Sequence, residues 1–277
     1  MIQFHDQGYL CIPGFLSAEE IERAKQRIQH HIDVWQPEEH PLVTFGMSPD
    51  KQARDAYFLT SGDKVRYFLE EDAVDANGQL CVSKACAINK IGHALHAHDP
   101  FFRQVTFGSH VKQIASMLGL DDPLVVQSMA ILKQPRIGGE VLPHQDSTFL
   151  HTDPPSALGF WIPLEDCTPA NGCLYAVPGS HRDYPVRNQF VRTDAGSTAF
   201  IGEPLPLIDA SKYVPIQCPA GSLVLIHGAV VHRSDANRSL HSRWAYTFHL
   251  VEGNAAYSQR NWLQPTTELP FPRLFAG

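Results

Sequence analysis

Leu223-Val224-Leu225-Ile226-His227-Gly228-Ala229-Val230-Val231-His232-Arg233-Ser234 is the stretch on which the fold turns. Two short apolar runs rich in β-branched residues flank Gly228, which predicts two strands joined as a hairpin between neighbours. The same texture recurs on both sides, in short apolar or alternating runs at 124–132, 157–164, 173–177, 213–218 and 243–251. Turn residues separate them, including Asn171-Gly172, Pro178-Gly179 and Pro219-Ala220-Gly221. Many short strands at this spacing predict a β-sandwich or jelly roll.

The chain before residue 123 reads differently. Ser17-Ala18-Glu19-Glu20 is a capping box, and Ile21, Ala24, Ile28 and Ile32 follow at near-helical spacing, so a helix to about Val34 is expected. Residues 36–61 read as irregular, 64–69 as a short helix and 80–91 as β. Asp99-Pro100 is an N-cap and first-turn pair, predicting a helix to Leu118 that Gly119 ends. The expected architecture is mainly β, with N-terminal helices packed on one sheet. No internal repeat or long linker divides the 277 residues, so one domain is expected: a helical lead-in over 1–122, a jelly-roll core over 123–251 and a tail over 252–277.

A net charge of −7 and the lack of a long basic run argue against a nucleic-acid footprint. The six Cys have irregular spacing and no Cys-x-x-Cys pair, and read as reduced thiols. With no signal-peptide pattern at the start, no apolar stretch of about 18–20 residues and no Ser-Lys-Leu ending, the expectation is a soluble cytoplasmic protein without membrane contact.

His-x-Asp occurs four times, at His31/Asp33, His144/Asp146, His151/Asp153 and His181/Asp183. Residues two apart point to different sides of a helix but to one side of a strand, so only an extended segment lets the pair share an ion. His31/Asp33 falls in the predicted helix. His181/Asp183 follows the turn Pro178-Gly179-Ser180. His144/Asp146 ends a strand–turn–strand run, and His151/Asp153 remains its rival, with Pro154-Pro155 marking a loop just after it. For a third ligand His227 and His232 compete. Ser234 shares a strand face with His232, and Arg243 opens the next strand; Arg and Ser together suit a carboxylate. Two imidazoles and one carboxylate hold one face of Fe(II) and leave three positions open, the pattern of non-haem iron oxygenases. The Arg then suits the far carboxylate of 2-oxoglutarate.

Pro143-His144-Gln145-Asp146, Asn171-Gly172-Cys173-Leu174, Val177-Pro178-Gly179-Ser180-His181-Arg182 and the run 219–228 resemble the phytanoyl-CoA dioxygenase family, with further likeness at 245–250 and 261–272. The resemblance covers nearly the whole chain and is densest from Val126 onward. It implies a double-stranded β-helix (the cupin-like jelly roll) and an Fe(II)- and 2-oxoglutarate-dependent dioxygenase using O2 as co-substrate. By motif it places the iron on His144, Asp146 and His232, and co-substrate contacts on Lys90, Met129, Trp161, Ser234 and Arg243. A carboxylate at Asp146 argues against halogenation, which needs a small residue there. The expected partner is a small-molecule substrate; 36–75 and 182–212 show no Lys/Arg concentration for the phosphates of a CoA thioester. The competing reading is a jelly roll that binds metal without oxidative chemistry, as an isomerase, hydrolase or sensor.

Overall fold

The structure, a computed structural model, describes residues 2–44 and 56–276. Its strands run in chain order as β1 (Tyr9–Ile12), β2 (Val65–Leu69), β3 (Ile88–His93), β4 (Pro123–Lys133), β5 (Val141–His144), β6 (Thr152–Asp153), β7 (Leu158–Pro163), β8 (Leu174–Ala176), β9 (Asn188–Arg192), β10 (Thr198–Gly202), β11 (Val214–Ile216), β12 (Leu223–His227), β13 (His232–Ser234), β14 (Arg243–Glu252) and β15 (Ala256–Tyr257). A major antiparallel sheet has the order β1-β12-β7-β14-β4-β3-β2, and a minor sheet the order β11-β8-β13-β5.

Helices cover the outer face of the major sheet. The helix Ala18–Val34 begins with the expected capping box and buries Ala24, Ile28 and Ile32. Strand alternation sorts residues between the two faces. On β14, Tyr246, Phe248 and Leu250 join Ile28, Ile32, Phe102 and Ala115 in the core under the helices. Their neighbours Arg243, Thr247 and His249 face the space between the sheets and line a cavity there. β4 repeats the pattern, with Ala130 and Leu132 outward and Gln127, Met129, Ile131 and Lys133 inward.

Four expectations are corrected. β12 and β13 do not pair as a hairpin: β12 belongs to the major sheet and β13 to the minor one. Gly228 carries the chain between the sheets, its N–H donating to Ala157 O at 2.7 Å and its carbonyl accepting from Ser147 N–H at 2.8 Å. A Cβ there would lie 2.5 Å from Ala157 O, so only glycine fits the crossing. Residues 65–69 are a strand, not a helix, because Val65, Tyr67 and Phe68 suit a pleated surface and pairing with β3 satisfies the backbone. The segment 80–91 includes a helical turn, Lys84–Ala87, before β3. The helix opened by Asp99 splits into Pro100–Thr106 and Ser109–Met117, with an extended Gly108 between them. The irregular stretch 36–61 holds a 3-10 turn, Pro37–Glu39, and a helical turn, Ala56–Leu59; its part from 45 to 55 lies outside the described residues. Among the described residues no helix is long and apolar enough to cross a membrane.

Candidate functional site

His144 ends β5 and His232 begins β13; the two are partners across that antiparallel pair, with ring centroids 4.2 Å apart. Asp146 follows in the turn Asp146–Thr148 and comes back under both rings. Its Oδ1 lies 3.6 Å from His144 Nε2 and 3.7 Å from His232 Nε2. Two donors each about 2.1 Å from one ion sit no more than about 4.2 Å apart, so one metal can join Asp146 to either imidazole, and all three ligand atoms lie within 4.8 Å of one another. Among the described residues these are the only three His, Cys, Asp or Glu side chains grouped closely enough to hold a metal.

The protonation pattern favours a cation. His144 Nδ1 is 2.8 Å from Leu142 O, and His232 Nδ1 is 3.1 Å from Val230 O. A carbonyl only accepts, so each Nδ1 carries a proton, and in the neutral ring each Nε2 then presents a bare lone pair to Asp146. Burial, with His144 beside it, pushes the His232 imidazole down to about 4, so it is neutral at neutral pH. Burial opposes the charge on Asp146, yet His232 and His249 hold its carboxyl well below the usual range. Two lone pairs and an anion thus converge in a buried pocket.

Arg243, the first residue of β14, is 1% exposed. Its Nε donates to Gly172 O at 3.2 Å, and Nη1 has no hydrogen-bond partner. Its guanidinium lies over the Trp161 ring, 5.2 Å from the centroid. Among the described residues no carboxylate forms an ion pair with it. A buried cation with an idle donor suits an anion arriving from outside the chain. Ser234 Oγ donates to the same Gly172 carbonyl at 3.0 Å, so the hydroxyl steadies the acceptor that orients Arg243.

Lys90, Met129, Trp161, Ser234 and Arg243 all line the cavity that also holds His144, Asp146 and His232. Burial pushes the Lys90 ammonium down to about 7. The rival residues lie elsewhere. His227 packs between His181 and Phe4, and its Nδ1 accepts from Ala229 N–H. His151 precedes β6, and His31 pairs with Asp99 at 3.0 Å.

Sequence reading overlooked three residues of this cavity. Lys133 stands opposite Arg243 in the sheet register and donates to Gly139 O and Asp235 O at 2.5 and 2.6 Å. Burial, then Arg243, pushes its ammonium down to about 7. His249 and Gln127 are the other two, with His249 Nε2 3.3 Å from Asp146 Oδ2 and Gln127 Nε2 3.2 Å from His249 Nδ1. Period two already carried the signal: His249 is six residues from Arg243 on one strand face, and Gln127 six from Lys133.

Residues 4–245 match the family model for phytanoyl-CoA dioxygenase. A Bos taurus relative named phytanoyl-CoA dioxygenase domain-containing protein 1 is 49% identical, covering 99% of this chain and 96% of its own length. An Arabidopsis thaliana relative named phytanoyl-CoA dioxygenase is 43% identical over 97% and 93%. Among solved structures, the epimerase SnoN from nogalamycin biosynthesis, in complex with Fe3+, alpha ketoglutarate and nogalamycin RO, has a TM-score of 0.64 at 16% identity, over 99% of this chain and 96% of that one. EctD from S. alaskensis with 2-oxoglutarate and 5-hydroxyectoine has a TM-score of 0.62 at 19% identity, over 98% and 80%. At such identities the likeness speaks for the fold: two packed antiparallel sheets of the jelly-roll type.

Proposed function

Because the chain belongs to the phytanoyl-CoA dioxygenase family, we propose that it is an Fe(II)- and 2-oxoglutarate-dependent dioxygenase. In this reading it couples conversion of 2-oxoglutarate to succinate and CO2 with oxidation of a C–H bond in a small molecule. One observation carries the reading: the His144/Asp146/His232 group shares a buried cavity with Arg243, whose Nη1 has no partner in the protein. A metal-binding jelly roll without a co-substrate has no use for that second feature.

The residues present fit both groups. His144, Asp146 and His232 hold the iron through Nε2, a carboxylate oxygen and Nε2. Bound iron with 2-oxoglutarate and O2 supplies the oxidising chemistry, which the protein has no side chain to perform. Arg243 takes the distal carboxylate through its idle donor, and Trp161 walls the guanidinium on one face. Ser234 holds Gly172 O and thereby the angle of Arg243. Lys90 adds positive charge to the same cavity, and Met129 is an apolar wall beside Gly92, where a Cβ would lie 2.9 Å from Met129 Cγ. Burial raises the strength of the charged contacts among these. The prime substrate belongs, on this account, at the aromatic end of the cavity formed by Phe58, Phe149 and Trp262, where Phe58 and Trp262 stack at 4.4 Å.

Titration of 2-oxoglutarate into metal-free and Mn(II)-loaded protein tests the proposal. Binding that appears only with metal is the expected outcome. Equal binding in both states, or in neither, would remove it.

A further inference from the structure

Asp146 has two carboxylate oxygens, and the structure treats them differently. Oδ1 faces the bare Nε2 atoms of His144 and His232 at 3.6 and 3.7 Å. Oδ2 faces His249 Nε2 at 3.3 Å. A carboxylate oxygen only accepts, so the proton between Oδ2 and His249 belongs to the imidazole. In the neutral ring Nδ1 is then an acceptor, and Gln127 Nε2 donates to it from 3.2 Å. The amide thus matches the tautomer that donates to Oδ2, and the chain Gln127–His249–Asp146 engages that oxygen. Gln127 and His249 are both buried and line the same cavity as Asp146. Gly159 on β7 gives the pair its room: a Cβ there would lie 3.3 Å from Asp146 Oδ2 and 3.5 Å from His249 Nε2.

We propose that Gln127 and His249 are positioning residues that hold Asp146 Oδ2 off the metal, so that the carboxylate binds through Oδ1 alone. The inference rests on the iron site proposed above and goes beyond it. A carboxylate that binds through both oxygens fills two coordination positions. With two imidazoles it would leave two open places on six-coordinate iron, and a chelating co-substrate would take both. A latched Oδ2 preserves the third, which O2 needs. The carboxylate lies between Gly159 of β7 and His249 of β14, and His249 is the hydrogen-bonding group that meets Oδ2. His249 acts through Asp146 and does not itself touch the ion.

Mn(II) titration of wild type and three variants tests it in the absence of turnover. His249→Phe keeps a planar ring and removes the donor; its Mn(II) dissociation constant should rise about 10- to 100-fold, the usual cost of losing a group that orients a metal ligand. His249→Gln restores an N–H near Nε2 and should recover much of the loss. Gln127→Met, which removes only the tautomer lock, should fall between wild type and His249→Phe. Water-proton relaxation should report one fewer exchangeable water on Mn(II) in His249→Phe, as Oδ2 swings onto the ion. Wild-type affinity and hydration in His249→Phe, or a His249→Gln variant no better than His249→Phe, would overturn the latch. If His249→Phe does not fold, wild-type affinity and hydration in Gln127→Met does the same. Failure of wild type to bind Mn(II) at all would instead overturn the iron site beneath it.

Discussion

Removing the Arg243 guanidinium separates the co-substrate assignment from the metal assignment. Arg243→Ala deletes a fully buried cation whose Nε is held by Gly172 O and whose Nη1 has nothing to hold within the protein. Losing one partner of a buried charged pair costs on the order of 2–5 kcal/mol. At about 1.4 kcal/mol per tenfold, the dissociation constant for 2-oxoglutarate should rise from tens to thousands of fold. Arg243→Lys should recover only part, since one ammonium cannot make two parallel bonds to a carboxylate. Ser234→Ala should lose less, about 0.5–1.5 kcal/mol, because its hydroxyl is spent on Gly172 O and acts by steadying that carbonyl. Without ligand the sign reverses. Arg243→Ala removes an uncompensated buried charge, so the thermal midpoint of the free protein should hold or rise. Calorimetry of 2-oxoglutarate into Mn(II)-loaded variants reads the first effect, and thermal melts of the free proteins read the second. Near-wild-type affinity in Arg243→Ala would refute the clamp. A large fall in the free protein's midpoint would show that Arg243 serves the fold instead.

Three further predictions follow from the cavity. His232→Ala should abolish tight metal binding while His227→Ala retains it, and iron retention after desalting compares the two; the opposite order would reassign the third ligand. Burial pushes Lys90 and Lys133 to about 7, whereas an unfolded lysine holds its proton to about 10.4, so between about pH 7 and 9 the unfolded chain carries more protons and stability should rise with pH. Urea midpoints across that range should show a shallower rise in Lys90→Met; a flat profile in wild type, or an unchanged slope in the variant, counts against the burial argument. Bound 2-oxoglutarate favours the protonated lysine, so it should raise the midpoint more at pH 7 than at pH 9, and equal increments would argue against a Lys90 contact.

Much of the β architecture was legible because period two survives in short runs. Each run from 124 onward is a strand in the structure, within one or two residues at most ends. What the pattern does not encode is which sheet a strand joins. The Gly228 break reads the same for a hairpin and for a crossing, and only the crowding by Ala157 and Ser147 distinguishes them. The 65–69 strand was misread because five residues are too short for periodicity to decide, and pairing with β3 decided it. At the site, the strand-end rule separates His144/Asp146 from helical His31/Asp33, and the company of Ser234 and Arg243 favours His232. His249 and Gln127 escaped because neither belongs to a compact motif. Their meaning lies in a hydrogen-bond chain across two strands, β4 and β14, whose register sequence alone does not supply.

Succinate formation tests most directly whether 2-oxoglutarate is used oxidatively at the His144/Asp146/His232 site. Protein with Fe(II), ascorbate and 2-oxoglutarate, without prime substrate, should release succinate slowly in air and none under argon. Asp146→Ala, treated alike, should release none in either. Metal-bound and co-substrate-bound wild-type protein that leaves 2-oxoglutarate unconsumed in air, alone and across a panel of small-molecule extracts, would contradict the account.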